Sequence, residues 1–205
     1  MDRGERMNTI THLIGAALAL AGLVILVVRA SLQGDPWKIV SFSIYGCALA
    51  ALYFLSTIYH AVRGRAKSLF QKIDHAAIYV LIAGTYTPFA LVTLRGAWGW
   101  SVFGVIWGLA LVGIAQDTFW ATRRRVLSVV IYLLMGWFAI VAIRPLARAL
   151  PAPGMVWLVA GGLFYTIGVI FYGLDKKIPH GHGIFHLFVL AGSVCHYITI
   201  FMYVA

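Results

Sequence analysis

The run Leu20-Ala21-Gly22-Leu23-Val24-Ile25-Leu26-Val27-Val28 is apolar on every face, whether it is wound as a helix or pleated as a strand. A membrane β-barrel needs apolar and polar residues in alternation, so this stretch excludes a barrel and leaves a lipid-spanning helix. Comparable stretches, each ended by charge or by Gly and Pro, fall at about 11–28, 39–62, 73–94, 98–115, 126–143, 155–174 and 182–204. Seven crossings at roughly 20 residues each use about 140 residues. The 205-residue chain then has no space for a soluble domain, which agrees with 62% hydrophobic residues, 11% charged residues and a mean hydropathy of +0.91. The expected fold is an all-α membrane protein, one seven-transmembrane helix bundle spanning 1–205.

The turns between these stretches are short. Gly34-Asp35-Pro36 lies within 29–38, Arg95-Gly96-Ala97 joins the third and fourth stretches, and Pro145, Pro151, Pro153 and Gly154 punctuate 144–154. Such turns join antiparallel neighbours. The first stretch follows Arg3 and Arg6, as a signal peptide would. It lacks a plain small-x-small cleavage site before a polar start and reads as a retained helix.

A formal net charge of +10 must be read by position. Arg3, Arg6, Arg63, Arg65, Lys67, Lys72, Arg123, Arg124, Arg125, Lys176 and Lys177 fall on one face, against Arg29, Lys38, Arg95, Arg144 and Arg148 on the other. The positive-inside rule makes the first face cytoplasmic, so the N-terminus is cytoplasmic and the C-terminus external. Trp37, Trp98, Trp100 and Trp157 land at the external interface and Trp120 at the cytoplasmic one, as an aromatic belt would. The basic excess thus fits anionic lipid headgroups as partners, and no nucleic acid is implied.

In so apolar a chain the ionisable residues inside the helices or at their rims carry the information. His12, His60, Asp74, His75, His182 and His186 all fall near the cytoplasmic ends, with Asp74 and His75 opening the third helix. His182 and His186 are four apart and share a helical face, and Ser56 and His60 have the same spacing. Three imidazoles with an open fourth position are the arrangement of a catalytic zinc, beside which Asp74 would act as general base or orient the water. Taken alone, a His-x-x-x-His pair is more often a solvated helix face. The default readings are snorkelling to headgroups for His75 and His180, a cap or interhelical hydrogen bond for His12, and a buried hydrogen-bonded histidine for His196. Cys47 and Cys195 read as apolar packing residues at similar depth, with nothing that argues for a disulfide.

Ser56-Thr-Ile-Tyr-His60, Asp74 after a basic loop, Ala83-Gly-Thr-Tyr-Thr-Pro-Phe89 and His182-Gly-Ile-Phe-His186 through His196 together resemble the bacterial hemolysin III family. That family lies within the progestin and adipoQ receptor superfamily, with the adiponectin receptors, and is related to alkaline ceramidases. The resemblance runs from Asn8-Thr-Ile-Thr-His12 to the last helix. It implies seven helices, a cytoplasmic N-terminus and Zn2+ held by His60, His182 and His186, with Asp74 near the reacting water and Ser56 behind it. Gly183 stands where relatives often carry a polar side chain, which removes any side-chain contact made there. Relatives are assigned to haemolysis, lipid homeostasis, receptor signalling and ceramide hydrolysis, so the resemblance implies the site more sharply than the activity.

Three readings follow, in order of preference. The first is a zinc-dependent hydrolase of lipid amide or ester bonds, or a lipid-homeostasis protein, whose lipid enters laterally. The second is a receptor-like lipid sensor with a structural zinc. The third is a pore-forming cytolysin, disfavoured because no helix carries a polar stripe, although an oligomeric lesion would not need one. Among structural features, Pro88 is expected to kink the third helix, with Thr85 or Thr87 satisfying freed backbone groups. Gly104-x-x-x-Gly108 offers close helix contact, and Tyr79, Tyr86, Tyr165 and Tyr172 could line a lipid cavity, with aromatic packing the default for each.

Overall fold

A computed structural model describes residues 3–119 and 125–204, and among these all regular structure is helical. Trp120, Arg123 and Arg124 lie outside the described residues. The helices are α1 (Arg3–Gln33), α2 (Pro36–Ala61), α3 (Arg65–Pro88), α4 (Gly96–Phe119), α5 (Arg125–Trp137), α6 (Ile143–Ala149), α7 (Ala152–Gly173) and α8 (Gly181–Tyr203). A π-helical turn, Phe89–Leu94, continues α3, and a 3-10 segment, Phe138–Ala142, joins α5 to α6. Among the described residues seven stretches are long and apolar enough to cross a membrane, the fifth being Val126–Ala149 across the α5–α6 break.

Several helices are longer than their apolar cores. α1 runs back to Arg3, and α3 begins at Arg65, nine positions before Asp74. Asp74 therefore does not open its helix but lies ~14 Å inside it, at 1.5 Å per residue. Polar residues extend a helix once its ends find partners, which apolar periodicity cannot register. In the expected loop 144–154, helix continues to Ala149. The 3-10 segment restarts the helix, so Pro145 falls in the first turn of α6, where its missing N–H has no helical partner to lose.

Chain-order neighbours pack along α1–α2, α2–α3, α3–α4 and α7–α8, and α1 closes the bundle against α8. Close approach rests on glycine: a Cβ at Gly46 would sit 2.5 Å from Leu23 of α1, and one at Gly192 only 3.1 Å from the Gly161 carbonyl of α7. Gly104 and Gly108 face open space, so that pair makes no close contact among the described residues. Pro88 is absorbed by the π turn, in which the Arg95 N–H reaches the Ala90 carbonyl. Thr85 and Thr87 donate to the Leu81 and Ala83 carbonyls, and Trp107 donates to Thr87.

The ends carrying Trp37 and Trp100 meet edge to face, with ring centroids 6.0 Å apart, and Asp35 pairs with Arg95 there at 3.1 Å. This is the end with fewer basic residues. Cys47 is exposed and Cys195 buried, and both are free thiols. Large apolar side chains such as Leu32, Val126 and Leu134 point outward, as lipid-facing residues do.

Candidate metal centre

α2 ends one residue after His60, and the Val62 N–H closes its last turn on the Ile58 carbonyl. The His60 ring is thereby held at the helix end, yet only 3% of it is exposed. The other two imidazoles come from the first turns of α8, one turn apart. Gly181 begins that helix close against Asp175, where a Cβ would lie 3.0 Å from the Asp175 Cα. His180 precedes it in the left-handed region, φ 58°, exposed as its rim position suggests.

The ring centroids of His60 and His182 are 5.2 Å apart, those of His60 and His186 4.9 Å, and those of His182 and His186 4.7 Å. One ring nitrogen from each lies within 4.8 Å of the others, a spacing that could hold a metal ion. α1 lies between α2 and α8 and brings them to this distance, a role its sequence position does not advertise.

Each Nδ1 atom has a polar side chain near it. His60 Nδ1 is 2.5 Å from Glu5 Oε2, His186 Nδ1 is 3.5 Å from Thr11 Oγ1, and His182 Nδ1 is 3.8 Å from Asp175 Oδ2. His60 Nε2 is buried and has no protein partner among the described residues. A buried nitrogen without a partner is costly unless something else occupies its lone pair. A divalent metal bound by neutral imidazoles fits this donor set.

Asp74 is buried on α3, with Ser56 of α2 beside it. Both line one cavity of about 820 Å³ together with the three histidines. Apolar residues including Leu81, Val169 and Val189 continue the wall, and a polar corner holds Gln116 and Asp117. Asp117 accepts from Ser128 at 2.6 Å, and Tyr132 donates to the His75 carbonyl at 3.1 Å. Tyr86, Tyr165 and Tyr172 line the cavity, whereas Tyr79 is fully buried with its ring over Gly113.

His75 is half-buried and also lines the cavity, so it is not only a headgroup anchor. His196 donates from Nε2 to the Leu158 carbonyl at 3.2 Å, the interior hydrogen bond expected of it. His12 differs from expectation: neither ring nitrogen has a hydrogen-bond partner among the described residues, and the ring stacks on His186. Glu5, Thr11 and Asp175 escaped the sequence reading. Glu5, Asn8 and His12 fall at i, i+3 and i+7, one helical face, a pattern visible only once α1 is known to start at Arg3.

A family model described as Haemolysin-III related matches residues 3–197. The chain is 45% identical over 201 residues to Hemolysin-3 of Bacillus cereus, covering 98% of this chain and 91% of that protein. A Hemolysin-3 homolog of Bacillus subtilis is 44% identical over 200 residues, covering 97% and 93%. Similarity extends to the human Monocyte to macrophage differentiation factor, at 30% identity over 202 residues, covering 96% of this chain and 82% of that protein.

Proposed function

Because this chain belongs to the haemolysin-III related family, we propose that it is a zinc-dependent hydrolase of lipid amide or ester bonds serving membrane-lipid homeostasis. It is a multi-pass integral membrane protein of the bacterial plasma membrane. The observation that carries the reading is the opening of a three-imidazole cluster and a buried carboxylate onto one large cavity with apolar walls. A metal used only as a staple between helices needs no such chamber.

His60, His182 and His186 would hold zinc, which supplies Lewis acidity for activating water and polarising a carbonyl near neutral pH. Asp74 takes the proton from the attacking water and returns it to the departing amine or alkoxide, and Ser56 orients that carboxylate. The apolar wall seats an acyl chain and excludes bulk water, which strengthens every charge interaction inside. Membrane lipid is both solvent and substrate source in this scheme, and the basic rim anchors to anionic headgroups.

The test is release of free fatty acid by purified protein in vesicles containing an N-acyl sphingoid base or a diacylglycerol. Zinc-loaded wild type should release it, and Asp74→Asn should be slower by about a hundredfold or more, the usual worth of a general acid–base group. No release above empty vesicles with either probe would contradict hydrolysis. That result would favour the second reading, a lipid sensor in which the metal joins α2 to α8, which the seating of the three ligands on helices near opposite ends of the chain supports.

A further inference from the structure

We propose that Glu5 is a positioning residue for the metal centre, holding His60 in the tautomer and ring orientation that present Nε2 to His182 and His186. The proposal rests on the metal reading above and adds a residue that reading does not contain.

Glu5 Oε2 is 2.5 Å from His60 Nδ1, a short contact across 55 positions. A carboxylate accepts and does not donate, so Nδ1 carries the hydrogen and the lone pair of the neutral ring falls on Nε2. Among the described residues, Nε2 is the buried nitrogen of this ring with no protein partner. Had the proton been on Nε2, an N–H would lie in the interior with no acceptor while Nδ1 faced a carboxylate lone pair. Both faults vanish in the tautomer Glu5 selects.

The carboxylate is itself held. Its other oxygen accepts from Lys67 Nζ of α3 at 2.8 Å, and Oε2 also receives Asn8 Nδ2 at 3.2 Å. Glu5 is thus fixed from α1, α2 and α3 together, as a group that orients a ligand must be. At the other two imidazoles, His186 Nδ1 lies 3.5 Å from Thr11 Oγ1 and His182 Nδ1 lies 3.8 Å from Asp175 Oδ2. Carboxylate partners of ligating histidines raise ligand basicity and lock ring orientation, and their loss weakens metal binding about 10–100-fold.

The alternative is a staple: Glu5 and Lys67 joining α1 to α3 with no effect on the metal. Zinc affinity of the full-length protein in detergent, read by competition with a chromophoric chelator, separates the two. Glu5→Leu should bind zinc about 10–100-fold more weakly than wild type. Glu5→Gln, which keeps an acceptor without charge, should fall between them and carries the test if Glu5→Leu does not fold. Lys67→Met removes the staple and one of the bonds that hold Glu5 but leaves the Glu5–His60 contact, so its loss of affinity should be clearly smaller than that of Glu5→Leu. Wild-type affinity in both Glu5 variants, or an equal loss in Lys67→Met, would overturn the proposal and leave the histidine site standing. A wild-type protein that takes up no metal would overturn both.

Discussion

His12 and His186 stack ring on ring, with centroids 3.7 Å apart and planes 23° from parallel. The contact ties the first helix to the last at the level of the metal centre, yet His12 is not among the three residues whose nitrogens converge. His12→Phe keeps a planar ring on His186 and removes both nitrogens. Zinc content by elemental analysis should match wild type in this variant, and a loss of metal would place His12 among the ligands.

Tyr86 occupies the break in the fifth span. Its hydroxyl lies 2.8 Å from the Gly136 carbonyl and 3.0 Å from that of Met135, and accepts from the Ala139 N–H at 2.7 Å. These backbone groups are released where α5 passes into the 3-10 segment. Tyr86→Phe leaves them without that partner, at a cost of about 1–3 kcal/mol. Thermal unfolding in detergent should show the loss, with faster amide exchange at 136–142. An unchanged melting curve would mean that lipid-side packing alone holds the break.

Two adjacent glycines on α7 make opposite forecasts. A Cβ at Gly161 would collide with the His196 ring, which is fixed by its bond to Leu158, whereas one at Gly162 would meet only the Trp137 ring at 3.8 Å. Gly161→Ala should lose about 1–3 kcal/mol to overpacking. Gly162→Ala should be neutral, or up to about 1 kcal/mol more stable through helix propensity. Equal stability of the two variants would show that α7 and α8 can separate without cost.

What was legible in the sequence follows from what membranes penalise. An apolar run such as 20–28 has one stable form in lipid, so the seven spans could be counted, and His182 and His186 could be seen to share a face. Helix ends were misplaced because Glu5, Arg6 and Asn8 carry no apolar signal, and their helix is completed by contacts to His60 and Lys67. The second carboxylate of the site was invisible for the same reason, since nothing local links Glu5 to a histidine 55 positions away. The break after Trp137 lies in an uninterrupted apolar stretch, and its explanation, Tyr86, is on another helix.

The central claim is that His60, His182 and His186 hold one zinc, and elemental analysis of the purified protein tests it most directly. Wild type should carry about one zinc per chain, the stoichiometry of a single three-histidine site. His60→Ala, and His182→Ala combined with His186→Ala, should carry essentially none while remaining folded by circular dichroism. Full zinc content in either variant, or none in wild type purified without chelator, would contradict it.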